Sequence, residues 1–308
     1  MLATKRLASD DIAEAARLLR AGRLVAFPTE TVYGLGADAR DDRAVAQIFA
    51  AKDRPSFNPL IVHLPSLEAV ERYADLPPEL ARLAEAHWPG PLSLVAPARG
   101  GLSKLVTAGL PTVALRVPAH PLAQELLRAV DGPVAAPSAN PSGRVSPTTA
   151  DHVLSGLAGR IDAVLDGGPC GVGLESTIVG MEAGQPVLLR AGGIPTDALA
   201  ETLGRPIPPR QGGSVTAPGQ LESHYAPRAT LRLNADAPRP GELWLGFGGG
   251  EERHTLSATG DLTEAAANLF RLLHELGDRA ETIAVAPIPH EGLGVAINDR
   301  LTRAAAPR

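Results

Sequence analysis

The 308-residue sequence contains a single cysteine, Cys170, which excludes an internal disulfide and a zinc site built from several cysteines. Aromatic residues make up only 3% of the chain, which argues against a surface of stacked rings for single-stranded nucleic acid. No apolar run approaches the roughly 18 residues of a transmembrane helix, and the N-terminal segment does not resemble a secretory signal. We therefore expect a cytoplasmic protein without membrane contact.

A surplus of basic residues is also missing. The 29 lysines and arginines are outnumbered by 34 aspartates and glutamates, which gives a net charge of −5. Nucleic-acid binders usually carry a positive surplus, because much of their affinity comes from neutralised phosphates. We expect no strong direct binding to nucleic acid, although a local cationic pocket is compatible with this composition.

What is present is typical of a folded α/β protein. Apolar residues reach 44% of the chain, and 32 glycines and 29 prolines are spread along it without a repeat. Short apolar segments alternate with helical patterns, which favours a sheet covered by helices. Helices are predicted at 9–21, 42–51, 66–73, 78–87, 120–129, 147–155, 196–202, 262–276 and 293–304. Strands are predicted at 23–28, 60–64, 92–96, 112–117, 133–137, 162–166, 175–180, 186–190, 229–233, 241–246 and 282–286.

A break in this pattern divides the chain. Residues 204–227 are rich in proline and glycine and predict a long irregular connector, a kind of segment that is often functional. We therefore expect a large domain over 1–204, a linker over 205–228 and a small α/β domain over 229–308.

Two segments near the N-terminus combine strand ends with polar residues. PTETVYGLG at 28–36 offers Thr29, Glu30 and Thr31 to a ligand, although a plain turn explains it equally well. KDRPSFNPLIVH at 52–63 follows a predicted helix, and its two cations suit either a polyphosphate or the helix C-terminus. A lone strand histidine such as His63 is more often a satisfied core group than a catalyst.

Three later segments add further polar residues. Arg116 interrupts an apolar strand and must meet a carboxylate, from the protein or from a ligand. In PSANPSGRVSPT at 137–148, Ser146 before Pro147 predicts a helix start, whereas Thr148 has capping-box spacing; such a loop also suits an anion. Cys170 lies in a glycine-rich loop and is interpreted as a loop residue rather than a nucleophile. No Walker, Rossmann or zinc-protease motif occurs.

Taken together, in order and spacing, these segments resemble the YrdC-like family, specifically its two-domain threonylcarbamoyl-AMP synthases. The family's K-x-R…S-x-N signature is present as Lys52, Arg54, Ser138 and Asn140. The resemblance also rests on WPGPLSLV at 88–95, DGGPCGVGLESTIV at 166–179, LLRAGGI at 188–194, SHYAPR at 223–228 and GLGVAINDRLTRAA at 292–305. It implies a three-layer twisted mixed sheet with a ligand cavity, followed by a small C-terminal Rossmann-like α/β domain.

The resemblance also implies a reaction. L-Threonine, bicarbonate and ATP would give L-threonylcarbamoyl-adenylate and pyrophosphate, which makes the protein a nucleotidyltransferase. The product would pass to downstream proteins that modify adenosine in tRNA. Magnesium would accompany ATP through its phosphates, with no dedicated metal site in the protein.

Site residues carry over by position from the family's motifs. The residues that match threonine contacts are Thr31, His63, Arg116, Ala136 and Ser176. The residues that match the ATP site are Lys52, Arg54, Asn58, Thr112, Ser138, Asn140, Ser146, Arg190 and Tyr225. Lys52 and Arg54 are expected to be the catalytic cations beside the phosphates, because the leaving pyrophosphate must be neutralised.

The linker is the candidate lid. It would carry Tyr225 over the nucleotide, with Gly212-Gly213 as a hinge. Gln220, Leu221 and Glu222 replace residues of different character in many relatives, so phosphate contacts from the lid are not assumed.

The sequence disfavours three alternative functions. An RNA-binding module of the same fold is disfavoured by the acidic charge and scarce aromatics. Hydrogenase-maturation relatives carry zinc-binding cysteine motifs, which a single cysteine excludes. A shorter paralogue group lacks the second domain.

Overall fold

A computed structural model of the chain describes residues 3–212, 217–219, 223–249 and 254–307. Ten strands between Lys5 and Arg190 form one mixed sheet, and three strands between Thr230 and Val285 form another. No helix within these ranges is long and apolar enough to span a bilayer. The predicted large α/β unit followed by a small one is confirmed, while the exact domain limits remain predictions.

The large sheet has the spatial order β1-β8-β2-β3-β7-β4-β6-β5-β9-β10, with parallel and antiparallel neighbours. Its strands are β1 (Lys5–Leu7), β2 (Val25–Phe27), β3 (Gly34–Asp38), β4 (Ile61–His63), β5 (Leu92–Pro97), β6 (Thr112–Arg116), β7 (Val134–Ala135), β8 (Ala163–Leu165), β9 (Thr177–Glu182) and β10 (Gln185–Arg190). Its helices are α1 (Ile12–Arg20), α2 (Asp42–Lys52), α3 (Leu67–Val70), α4 (Pro78–His87), α5 (Pro121–Val130), α6 (Ala150–Leu157) and α7 (Thr196–Leu203).

Alternate residues around β2 show how the three layers form. Val25 and Phe27 pack in one apolar cluster with α1 and α5, whereas Leu24 and Ala26 belong to a second cluster with α2, α4, α6 and α7. Successive side chains of a strand point to opposite faces, so both faces of this short strand are buried. The three-layer arrangement expected from the resemblance is confirmed.

A side-chain cap sets the start of α2, whereas α1 begins without one. Asp41 caps α2 by accepting hydrogen bonds from the backbone N–H groups of Arg43 and Ala44. Helix α1 begins at Ile12, after Asp11, so the predicted start of this helix at residue 9 is wrong.

The start of α6 corrects both sequence alternatives. The helix follows Thr149, whose hydroxyl accepts from the N–H of His152. The predicted starts at Ser146-Pro147 and at Thr148 are therefore wrong, because the residue directly before the helical turn supplies the cap.

The small domain contains three parallel strands in the order β11-β13-β12. Its elements are β11 (Thr230–Arg232), β12 (Leu243–Leu245), α8 (Leu262–Gly277), β13 (Thr282–Val285) and α9 (Gly294–Ala305). Its apolar core also takes in Val32, Val145, Leu174 and Tyr225 from outside the domain. A Cβ atom on Gly173 would lie 2.5 Å from the Ala266 carbonyl oxygen, so glycine permits this close contact. The two units therefore share one continuous packed interface.

Candidate active site

A cavity of about 40 Å³ lies beside the large sheet, beneath part of the linker. Most of the residues that the resemblance assigned to a site meet there. Those lining the cavity are Thr31, Arg54, His63, Arg116, Ala136, Ser138, Ser176, Arg190 and Tyr225. Those that do not line it are Lys52, Asn58, Thr112, Asn140 and Ser146. Room for only a few water molecules remains at this volume.

The register of two strands brings His63 and Arg116 together in the cavity. β4 pairs with β6 in parallel, which makes His63 the direct partner of Arg116. By the two-residue period, both point to the same face as Ile61 and Ala114. Ile61 and Ala114 belong to a small apolar cluster that includes Ala217 from the linker. The sheet thus supplies a floor with two polar side chains at one end.

Arg116 is buried, with 3% of its surface exposed, and its guanidinium is held at three points. It donates to Glu30 Oε1 at 2.6 Å, to Thr31 Oγ1 at 2.8 Å and to the Gly90 carbonyl at 3.2 Å. The required carboxylate is therefore a protein group. Because a guanidinium carries five N–H groups, two of them have no partner among the described residues.

His63 acts as a neutral group. Its Nδ1 lies 3.3 Å from the Ile61 carbonyl oxygen, which only accepts, so the proton is on Nδ1 and Nε2 is left as an acceptor. Burial, with a smaller effect of Arg116, lowers the pKa of His63 to about 3. At neutral pH this side chain is uncharged: it keeps its single proton on Nδ1 and can accept a hydrogen bond at Nε2.

Two further lining residues, Arg54 and Arg190, are cations without a carboxylate partner. Arg54 donates to the carbonyls of Asn58 and Pro59, and Arg190 donates to those of Ser176 and Pro218. Within the described ranges neither arginine forms an ion pair. Burial lowers the pKa of Arg54 to about 10 and also lowers that of Arg190, yet both stay charged at pH 7. Buried cations without carboxylate partners favour an anionic ligand.

Lys52 supports this group from behind the cavity wall. Its amine donates to the Ser138 carbonyl at 2.5 Å and to the Asn140 carbonyl. The Asn140 side chain in turn donates to the carbonyls of Pro141 and Arg144. Burial, reinforced by Arg54, lowers the pKa of Lys52 well below its usual value. Lys52 and Asn140 thus fix the backbone of the loop that carries Ser138.

The other residues outside the lining have separate environments. Asn58 is buried, and neither polar atom of its side chain has a partner within the described structure. Thr112 is half-buried at the start of β6. The Ser146 hydroxyl donates to Glu175 Oε1 at 2.5 Å. These positions surround the cavity without lining it.

The linker closes the cavity with Pro218, Gly219, His224 and Tyr225. Tyr225 has a left-handed backbone (φ 62°), and its buried hydroxyl has no described partner. Gly219 also has positive φ, and a Cβ there would lie 2.7 Å from Tyr225 Oη. Glycine is therefore required where the linker crosses the tyrosine.

Several predicted features of the linker lie outside the described residues. These are Gly213 of the proposed hinge and the trio Gln220, Leu221 and Glu222.

Two lining or supporting residues were missed from the sequence. Glu175 lines the cavity, and its Oε2 accepts a hydrogen bond from Arg300 Nε at 2.7 Å. Arg300 belongs to α9, where it shares a buried face with Ile297 and Leu301. An arginine at helical spacing within an apolar stripe is a signal that could have found it.

Neither a reactive thiol nor a protein metal centre is evident in the described ranges. Cys170 is buried, and burial raises the pKa of its thiol to about 12. No group of three or more histidine, cysteine, aspartate or glutamate side chains in this part of the chain is arranged to hold a metal ion.

Comparison with known proteins identifies the family. Residues 17–192 match the family model described as "Telomere recombination", whose name combines Sua5, YciO and YrdC. Residues 194–306 match the model of the threonylcarbamoyl-AMP synthase C-terminal domain. The chain belongs to the Sua5/YciO/YrdC family.

Members of this family resemble the chain over nearly its full length. Threonylcarbamoyl-AMP synthase of Pyrococcus abyssi is 40% identical over 96% of this chain and 94% of its own length. The Bacillus subtilis enzyme of the same name is 41% identical over 99% of this chain and 96% of its own length. The crystal structure of P. abyssi Sua5 complexed with L-threonine has a TM-score of 0.89 and 37% identity, covering 98% of this chain and 97% of that one. The resemblance recognised in the sequence is confirmed.

Proposed function

We propose that this protein is an L-threonylcarbamoyladenylate synthase. It joins L-threonine, bicarbonate and ATP into L-threonylcarbamoyl-adenylate and releases water, as the carbamate forms on the amine, and pyrophosphate. The observation that carries this function is the meeting of Arg54, Arg116 and Arg190 in one cavity beside a neutral histidine acceptor. The full-length relatives named threonylcarbamoyl-AMP synthase support it and do not support an RNA-binding module.

The threonine half comprises Thr31, His63, Arg116, Ala136 and Ser176. The two remaining N–H groups of Arg116 suit the two oxygens of an α-carboxylate, since a guanidinium binds carboxylates in bidentate fashion. Neutral His63 offers Nε2 as an acceptor for the threonine amine or hydroxyl. This half would hold the amine still while the carbamate forms on it.

The nucleotide half contains Arg54, Ser138, Arg190 and Tyr225. A carbamate oxygen attacks the α-phosphorus of ATP, the bond from that phosphorus to the bridging oxygen breaks, and pyrophosphate leaves. Arg54 and Arg190 neutralise the phosphates as charge develops on the leaving group. Lys52 acts from behind, by holding the backbone of Ser138. No protein nucleophile takes part in this scheme.

Magnesium fits this site as a companion of ATP. Glu175 is the carboxylate among the described lining residues, and its two oxygens already accept hydrogen bonds from Ser146 and Arg300. Phosphate oxygens would therefore hold the ion, which would supply charge neutralisation on the leaving group.

Entry of the nucleotide requires movement of the linker. A cavity of about 40 Å³ is far too small for ATP, and Pro218 and Tyr225 close it. Displacement of this segment and its return over bound substrates would exclude water from the labile carbamate. Released adenylate would then pass, in the cytoplasm, to the proteins that modify tRNA.

Pyrophosphate release tests the function directly. The protein is incubated with ATP and magnesium, with threonine and bicarbonate each omitted in turn, and the product mass is recorded. We expect release only with both, together with the mass of threonylcarbamoyl-adenylate. Absence of release under every combination, with strong salt-dependent binding of tRNA, would instead support the RNA-binding alternative.

A further inference from the structure

One charged side chain of the small domain bonds to the wall of the cavity. Arg300 on α9 is fully buried and forms an ion pair with Glu175 of the large domain. Its other nitrogens donate to the Ala191 carbonyl at 2.9 Å and to Asp299 Oδ2 at 2.6 Å. Every part of the guanidinium is thus engaged, and two of its three partners belong to the other domain.

Glu175 connects Arg300 to the cavity, because it lines the cavity and bonds to Arg300. One of its oxygens is held by Arg300 and the other accepts from the Ser146 hydroxyl. Burial alone would raise the pKa of Glu175, but Arg300, Arg190 and Ser146 together hold it below its usual value. The carboxylate is therefore ionised at neutral pH, and Arg300 is its direct counter-charge.

Arg300 also supports the tyrosine of the linker. Its Cζ atom lies 5.0 Å from the centre of the Tyr225 ring, within the range of a cation–π contact. The same ring stacks on Phe270 of α8, with centroids 5.6 Å apart. The small domain therefore fixes Tyr225 from two helices.

The threonine half has no comparable link. Thr31, His63 and Arg116 form their hydrogen bonds with residues of the large domain, and none of the described bonds joins them to α8 or α9. The described contacts of Arg300 outside its own helix are with Glu175, the Ala191 carbonyl and Tyr225. None is made directly with a residue of the threonine half, whose nearest member is Ser176, next to Glu175.

We propose that Arg300 is a positioning residue for ATP, through which the small domain completes the nucleotide half of the site. This inference rests on the proposed function. Without Arg300, an unpaired carboxylate would face the triphosphate and repel it, and Tyr225 would lose its support. Threonine would still find Arg116, Thr31 and His63 in place.

Calorimetric affinities for ATP with magnesium and for threonine, each measured alone, test this role. R300M should weaken ATP binding by about 100-fold, because it leaves the buried Glu175 carboxylate without its counter-charge beside the phosphates. R300K keeps a positive charge and should lose only about tenfold, because a single amine cannot reproduce the fork of contacts. Threonine affinity should stay within about twofold in both variants.

Removal of the Glu175 carboxylate separates the effect of its unpaired charge from the loss of support for Tyr225. R300M/E175Q carries no unpaired charge and should bind ATP better than R300M but more weakly than wild type. If R300M does not fold, this double variant and R300K carry the test. Wild-type ATP affinity in a folded R300M or R300M/E175Q, or an equal loss of ATP and threonine affinity, would overturn the inference.

A matched control lies in the same domain. Arg232 forms a close ion pair with Glu242 at 2.5 Å and takes no part in the cavity, so R232M should leave both affinities unchanged. An assay of the wild-type protein for threonylcarbamoyl-adenylate distinguishes a failure of the proposed function from a failure of the role proposed for Arg300. ATP binding without product formation would contradict the proposed function while still allowing the Arg300 test.

Discussion

The two halves of the cavity are built in different ways. The half proposed for threonine is centred on two adjacent strands, where His63 and Arg116 are register partners and Glu30 neutralises the arginine. The nucleotide half is assembled from a loop after α2, the end of β10, the linker and the small domain. Its arginines, Arg54 and Arg190, bond to backbone carbonyls rather than to carboxylates.

This difference separates a preformed site from one that its ligand completes. Strand register and a paired charge hold Arg116 in place without a ligand. Segments such as linkers open more readily than packed strands, so the nucleotide half is the part expected to move. Substitutions in the strand-built half should therefore weaken the binding of threonine, and substitutions in the other half should weaken the binding of ATP.

Replacement of Arg116 should have the largest effect. Arg116→Ala removes the proposed carboxylate fork and should weaken threonine binding about 1,000-fold, the loss expected for a buried charged partner worth about 4 kcal/mol. ATP affinity should remain within about threefold, because the nucleotide contacts lie on other elements. Calorimetry with each substrate measures the split.

The control for this variant concerns Glu30, which Arg116→Ala leaves without its cation. R116M/E30Q removes both charges and should show the same loss of threonine affinity with a melting temperature closer to wild type. Equal losses of ATP and threonine affinity in this folded double variant would mean that Arg116 is structural.

Arg54 should give the opposite selectivity with a smaller effect. Arg54→Met should raise the KM for ATP by roughly 30-fold, since a hydrogen bond to a charged group contributes about 1.5–3 kcal/mol. Arg54→Lys should recover part of the loss because a point charge still attracts phosphate. Steady-state kinetics with saturating threonine measure the change. A rise in the KM for threonine alone would contradict the division.

Local patterns predicted most of the framework, and the exceptions have physical causes. The helix over 78–87 and its neighbours follow from apolar periodicity and a proline at the helix start. Strand β3, GLGAD, was not among the predicted strands, and glycine and aspartate do disfavour strands. It forms because β2 and β7 pair with it on either side, which is tertiary context that no local window contains.

The site shows the same limit. Recognised motifs placed Arg54, His63 and Arg116 around one cavity, as the structure does. The motifs do not say that Lys52 bonds to backbone carbonyls, or that Arg300 arrives from another domain. Both depend on chain segments far apart in sequence, so spacing alone could not predict them.

Two buried histidines should make the stability of the protein sensitive to acid. His63 lies in the half proposed for threonine, and His224 lies in the linker next to Tyr225. Burial lowers the pKa of His63 to about 3 and that of His224 to about 3, whereas the unfolded chain titrates near 6.5. Below pH 6.5 the unfolded state binds more protons than the folded state. The free energy of unfolding therefore decreases as the pH is lowered from 6.5 to about 3. Each histidine should cost about 2 kcal/mol at pH 5 relative to pH 8.

Urea titrations from pH 8 to pH 4 measure this loss. His224→Gln and His63→Gln should each reduce the loss of unfolding free energy between pH 8 and pH 5 by about 2 kcal/mol, the amount expected for one histidine. Only His63→Gln should also weaken threonine binding, because only His63 belongs to the threonine half. A wild-type acid slope in either variant would mean that its histidine is protonated in the folded protein.

Cys170 should give the smallest effect, because its thiol belongs to neither half. It is buried behind the loop that carries Glu30, and a thiol with its pKa near 12 holds about one part in 10,000 as thiolate at pH 8. Cys170→Ala should keep both KM values and kcat within about twofold, and iodoacetamide should label the native protein far more slowly than the urea-unfolded chain. Mass spectrometry over a time course, with activity followed in the same samples, measures both rates. Rapid labelling of the native protein with matching loss of activity would mean that the thiol is accessible and functional, and the scheme without a protein nucleophile would then be wrong.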